Sequence, residues 1–166
     1  MTIGRYVPIV RAINQAGVDY VIVGGVATNL LGHVRATVDL DLIVAFDADN
    51  LDRLTTALRR VGYVPRVPAD PLGLADEATR KSWQERNMVV YAFVSVANPP
   101  TLVDIFIQHP IPYPDLRARS KVYIVDGEPL RACSVDDLIF LKKLASRPQD
   151  LDDIRQLRAA HEPDSD

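Results

Sequence analysis

The chain is poor in cysteine: Cys133 is the only one among 166 residues. A single thiol excludes an intramolecular disulfide and suits a reducing compartment, and a small buried apolar role fits it better than nucleophilic catalysis. No apolar run approaches the roughly 20 residues of a membrane span, and no basic-then-apolar leader opens the chain; a cytoplasmic protein without membrane contact is expected. Neither sign of charge dominates. Nineteen basic and 22 acidic residues leave a net −3, which gives no general electrostatic case for nucleic-acid binding and leaves nucleic acid in play only as an acceptor. His33 and His109 lack the Cys/His spacing of a zinc site and read as structural or surface residues. The pattern Gly-x-Gly-x-x-Gly is missing, which disfavours a nicotinamide-binding Rossmann domain. Internal repeats and linkers are also missing.

What is present is a hydrophobic fraction of 48% and a charged fraction of 25%, ordinary values for a globular protein with a substantial core. A single domain over residues 1–161 is expected, with Glu162–Asp166 as a disordered acidic tail. The chemistry concentrates in residues 20–44. Val21-Ile22-Val23 reads as a short buried strand that stops at Gly24-Gly25, where the backbone can turn or admit a ligand closely. Val26–Leu31 has helical spacing and stops at Gly32. Val38–Val44 reads as a second strand, on which Asp39 and Asp41, two residues apart, share a face. Adjacent carboxylates repel, and a divalent cation between them would compensate; hard oxygen donors suit magnesium, with manganese as the alternative. Free amides at Gly24 and Gly25 before a helix form an anion cradle. A phosphate cradle facing an acid pair equips a chain for phosphoryl or nucleotidyl transfer. Taken alone, Asp-x-Asp reads better as a strand end with solvated acids; its combination with the diglycine reverses that preference.

Gly24-Gly25, thirteen intervening residues and then Asp39-Leu-Asp41 resembles the signature of the DNA polymerase β-like nucleotidyltransferase superfamily. More narrowly, Gly24-Gly25-Val-Ala27 with Gly32-His-Val-Arg35-Ala-Thr37-Val-Asp39-Leu-Asp41 is similar to small bacterial nucleotidyltransferases. These include toxins of abortive-infection toxin–antitoxin pairs and, more distantly, antibiotic nucleotidyltransferases. Asp104, one acid in the apolar run Leu102–Ile107, matches the superfamily's third acid and would complete a two-ion magnesium site; a hydrogen-bonded structural Asp is the other reading. The run Asp137–Ile154 is similar to the C-terminal signature of the same small enzymes. That resemblance implies that Lys142 faces the nucleotide and that Asp150, with an arginine near the helix junction, braces it. Surface pairs Arg147–Asp150 or Lys142–Asp137 are the plainer account, and Asp153 reads as structural. Arg35 and Thr37 would support the Asp-x-Asp strand or contact phosphate.

Elsewhere the pattern predicts a helix over 5–16 and another from Leu51 to Val61, whose terminal Arg59 and Arg60 complement its dipole. Prolines at 65, 68 and 71 mark a loop, and Leu74–Glu85 a helix whose Arg80, Lys81 and the following Arg86 form a solvated face or a phosphate-contacting flap. Met88–Val96 reads as a strand, His109–Pro114 as a rigid connection, and Lys121–Val125 with Pro129–Cys133 as an edge hairpin around Asp126-Gly127. Two helices close the chain, burying Leu138, Leu141, Leu144 and Ala145, then Leu151, Ile154 and Leu157. The expected architecture is α/β (α+β), a mixed twisted sheet flanked by helices with the last two on the nucleotide side. The expected activity is transfer of a nucleoside monophosphate from an NTP to a tRNA, protein or small-molecule acceptor, with an antitoxin protein as a further partner. A non-catalytic nucleotide- or partner-binding regulator of the same fold is the alternative.

Overall fold

The computed structural model describes residues 3–97 and 99–162. A seven-stranded mixed sheet runs through them, built from β1 (Tyr20–Val23), β2 (Asp39–Val44), β3 (Tyr63–Pro65), β4 (Val90–Ser95), β5 (Leu102–Phe106), β6 (Lys121–Val125) and β7 (Glu128–Ala132). Their spatial order is β3-β4-β5-β2-β1-β7-β6. β2 and β5 run parallel at the centre, β1 pairs antiparallel with β2, and β4 pairs antiparallel with β5. The β6–β7 hairpin turns at Asp126-Gly127, both at positive φ, and forms the sheet edge that the Asp-Gly signal implies.

The helices are α1 (Val7–Gln15), α2 (Gly24–Leu30), α3 (Ala48–Arg60), α4 (Glu77–Glu85), α5 (Tyr113–Arg119), α6 (Val135–Ala145) and α7 (Pro148–His161). α1 buries Val7, Ile9, Val10 and Ile13, the stripe its periodicity implies. α3 starts where the Asp47 carboxylate accepts from Asn50 N–H at 2.9 Å, and it buries Leu51, Leu54 and Leu58. Tyr91, Phe93, Val103 and Ile105 are wholly buried on one face of β4 and β5, whereas Val90, Ala92, Val94, Leu102, Asp104 and Phe106 on the other are only half-buried.

Four expectations change. α2 begins at Gly24 rather than Val26, because the chain bends into the helix as soon as β1 ends. Leu74 lies in a 3-10 turn, Pro71–Ala75, and α4 starts only at Glu77, where Asp76 accepts from Thr79 N–H at 2.9 Å. The segment after His109 is not all connection. Once past Pro112 it winds into α5, with Asp115 in its first turn and Arg117 and Arg119 in its last complementing the dipole. Leu144 and Leu151 are 58% and 52% exposed, and Ala145 is exposed too, so the apolar side of both helices is left open at the α6–α7 junction. Residues 163–166 of the expected tail lie outside the described residues. No helix among the described residues is long and apolar enough to cross a membrane.

Candidate active site

Sheet register brings the acids together. Asp41 on β2 is the direct partner of Asp104 on β5, and Asp39 is the partner of Leu102. Register partners on neighbouring strands share a face and lie about 4.8 Å apart at the backbone, so Asp39, Asp41 and Asp104 all project from the half-buried face. Asp104 is distant from this pair along the chain, and the parallel β2–β5 pairing is what removes that distance.

Val23 at the end of β1 pairs with Asp41, so the chain enters α2 directly beside that carboxylate. Gly24 has φ +66°, and a Cβ there would lie 2.0 Å from Asp41 Oδ2. A Cβ on Gly25 would lie 2.5 Å from Thr37 Oγ1. Both glycines are therefore required by close approach, and at Gly24 by backbone conformation as well.

Electrostatics mark the three acids as strained. Burial, then the Asp104 and Asp39 charges, raise Asp41 to about 7, against the pull of Arg147 and the Gly25 amide. Burial and the Asp39 charge raise Asp104 to about 6, with Arg66 opposing. Burial also raises Asp39, again opposed by Arg66. Asp104 Oδ1 is buried without a hydrogen-bond partner. Among the described residues, no group of three or more His, Cys, Asp or Glu is closed tightly enough to form a metal cage by itself. An orphaned carboxylate oxygen and three mutually repelling acids are nonetheless the donor set that suits magnesium, which keeps waters and shares substrate phosphates instead of filling a protein cage.

The support residues form a second cluster behind the first. Asp153 on α7 is wholly buried and accepts both Nε and Nη2 of Arg35 at 2.8 Å and Lys142 Nζ at 2.7 Å. His33 Nε2 stands 3.5 Å from the same carboxylate. Burial works against the Asp153 charge, but the Arg35 fork and the lysine outweigh it and hold the group below the usual carboxylate range. Lys142 is thus buried against Asp153, with Asp150 3.8 Å away, and it does not pair with Asp137, which takes Arg119 instead. Asp150 is buried and caps α7, accepting Arg147 N–H at 3.1 Å and Arg147 Nε at 2.8 Å. Thr37 Oγ1 donates to the Asp39 carbonyl at 3.3 Å, and Tyr6 O–H donates to the Thr37 carbonyl at 3.1 Å. Arg35 and Thr37 therefore fix the segment that feeds the Asp-x-Asp strand.

Sequence reasoning misses the hub role of Asp153 and the cation Arg66. The Asp137–Ile154 similarity contains Asp153, but only the fold joins it to Arg35 at a separation of 118 residues. Arg66 follows an unremarkable three-residue strand and carries no local signal. Arg80 is neither free nor near the acids: it stacks on Phe46, 4.4 Å from the ring centroid, and donates to the Leu74 carbonyl. Phe46 follows the far end of β2 and stacks on His109 with ring centroids 4.0 Å apart, a structural place for that histidine. Cys133 is buried and its thiol is pushed up to about 12, which leaves it inert.

This architecture is that of nucleotidyltransferase-like proteins. The chain superposes on an antigenic nucleotidyltransferase-like protein from Paracoccidioides brasiliensis with a TM-score of 0.60 and 20% identity, over 96% of this chain and 75% of that one. It is similar to the antibiotic-resistance factor ANT(2'')-Ia with a TM-score of 0.61 and 14% identity, over 95% and 83% of the respective chains. For lincomycin-bound lincosamide antibiotic adenylyltransferase LnuA the values are 0.58 and 14%, over 89% and 90%. No protein-family model matches this sequence, and no curated protein sequence does either.

Proposed function

We propose that this protein transfers a nucleoside monophosphate from an NTP to a hydroxyl acceptor and releases pyrophosphate. The observation that carries the reading is the register pairing of Asp41 with Asp104, beside a Gly24 whose missing Cβ leaves room for the Asp41 carboxylate. Asp39, Asp41 and Asp104 would hold magnesium, or manganese in its place; when bound it neutralises phosphate charge and lowers the barrier to displacement. Amides of Gly24 and Gly25 would cradle the triphosphate, and the Arg147 guanidinium, whose charge acts on Asp41, would add to the neutralisation. Asp104 accepts the acceptor's hydroxyl proton. The new bond joins that oxygen to the α-phosphorus, and the bond to the β-phosphate bridging oxygen breaks, its electron pair leaving with pyrophosphate. Lys142 serves this site either through the Asp153 cluster that orders Arg35 or directly, by leaving Asp153 for the phosphates.

The similar structures include an antibiotic-resistance factor and a lincosamide antibiotic adenylyltransferase, and tRNA, protein and small molecules all suit the reaction. A toxin role, with an antitoxin as partner, rests on the similarity of the Gly24–Asp41 and Asp137–Ile154 segments to abortive-infection toxins. A cytoplasmic location suits the single reduced thiol. One observation favours the alternative of a non-catalytic regulator: Lys142 is held by Asp153 rather than directed at a nucleotide. The test is incubation with each α-labelled NTP, magnesium and cell lysate. Label transferred to a macromolecule or metabolite is expected; NTP binding without transfer to any acceptor or to water would leave the regulator.

A further inference from the structure

The acids divide the open sheet face into two flanks. Arg66 N–H donates to the Ala92 carbonyl at 2.9 Å, extending the β3–β4 pairing by one residue past Pro65–Phe93. Ala92 is the register partner of Asp104, Asp104 of Asp41, and Asp41 of Val23. A single transverse row therefore reads Arg66, Ala92, Asp104, Asp41, and then the entry to Gly24. Arg66 is exposed, and its place opposite Ala92 in the row puts it on the same sheet face as Asp104. Two strand spacings, about 10 Å, separate its backbone from that of Asp104. Between them lies alanine, the smallest side chain in the row, flanked by the half-buried Val90, Val94, Leu102 and Phe106. The result is a shallow apolar floor with an acid at one side and an arginine at the other.

In-line displacement puts the entering and leaving oxygens on opposite sides of phosphorus. With the triphosphate on the Gly24 flank, the Arg66 flank is left for the acceptor. We propose that the acceptor lies on the β4–β5 floor and carries a phosphate, which Arg66 holds while a hydroxyl of the same molecule meets Asp104. The inference rests on the transferase reading of the site. An arginine offers a planar fork to a phosphate and repels a cation, so a polycationic amino sugar is the wrong substrate for this edge. The acceptor hydroxyl oxygen bonds to the α-phosphorus, its proton passes to Asp104, and pyrophosphate leaves, as for any acceptor; Arg66 supplies position only.

The test compares matched probes with the full-length protein, magnesium and α-labelled NTP: ribose, ribose 5-phosphate and glucosamine. Ribose 5-phosphate should take label at least tenfold better than ribose, and glucosamine least. Arg66→Gln should bring the phosphorylated-to-neutral ratio to near one through KM for the acceptor, Arg66→Lys should keep part of it, and Arg155→Gln, an exposed control, should keep all of it. A separate titration of ribose 5-phosphate followed by NMR reads the same subsite without turnover, and Arg66→Gln should weaken binding about tenfold. Transfer with equal use of the three probes, or a ratio unmoved by Arg66→Gln, would overturn the inference and leave the transferase reading standing. So would an effect of Arg66→Gln confined to KM for NTP, which would move Arg66 to the triphosphate. Arg66-dependent binding with no consumption of any NTP would do the reverse, supporting the subsite and sinking the transferase.

Discussion

Asp41 is a residue whose usefulness and stability conflict. Its carboxyl is raised to about 7, so between about pH 4 and 7 the folded, metal-free protein binds a proton that the unfolded chain has released. More protons on the folded side means stability is greatest below the unfolded value near 4 and declines as pH rises through 7. A tenfold difference in proton affinity between the folded and unfolded chain corresponds to about 1.4 kcal/mol, so the loss across that window is on the order of a few kcal/mol. Asp104, raised to about 6, adds to the decline in the same direction. Two outcomes are expected from denaturant titrations in chelator. Wild-type stability should drop from pH 5 to pH 8, and Asp41→Asn should be the more stable protein at pH 8. Magnesium should reverse the ranking, because it favours the ionised acids. A pH-flat wild type whose stability ignores Asp41→Asn would contradict the strain assigned to this group.

At the scale of elements, the β1–α2 junction and the α6–α7 pair hold the site from two sides. Gly24→Ala places a Cβ in the space of the Asp41 carboxylate at a positive φ. The backbone penalty and the overlap together should cost about 2–4 kcal/mol, measured by urea unfolding, with NTP turnover lost in whatever protein remains folded. Asp153→Ala leaves Arg35 and Lys142 without their shared anion and should cost about 3–5 kcal/mol. Asp152→Ala, which touches only the exposed Arg155, should cost little. Equal effects of the two substitutions would show that the Asp153 cluster is no keystone.

The same elements show what is legible in the sequence. β1, β2, β5 and the edge hairpin follow from β-branched runs and from Asp-Gly, all local signals. Gly24-Gly25 and Asp39-x-Asp41 stand out because a turn that allows close approach and two acids on one strand face fall within 18 residues. Asp153 and Arg66 are not legible, because each matters through a partner that only tertiary pairing supplies. Leu144 and Leu151 mislead for a related reason: periodicity says which side of a helix is apolar but not where along it the packing ends.

For the molecule as a whole, the nucleotidyltransferase-like fold predicts coupling between ligand and stability. Mg-NTP at about one hundred times its dissociation constant should add about 2.7 kcal/mol, which for a chain of this size raises Tm by roughly 5–10 °C. NTP with chelator should shift it much less. No response to any of the four NTPs with saturating magnesium would remove both the transferase and the nucleotide-binding regulator. Asp39→Asn should retain the fold while losing the difference between the magnesium and chelator arms.

The most direct test of the account is single-turnover transfer of an α-labelled nucleotide by Asp104→Asn, with Mg-NTP affinity and melting measured on the same preparation. Asp104 is placed by β2–β5 pairing beside Asp41 and is assigned to the attacking oxygen. The substitution should leave Mg-NTP affinity within a few-fold of wild type and the fold at least as stable in chelator. It should nonetheless slow transfer about 100-fold or more, the pattern of an interaction used in the transition state. A destabilised Asp104→Asn protein with wild-type transfer per folded molecule would make Asp104 a structural acid and contradict the mechanism.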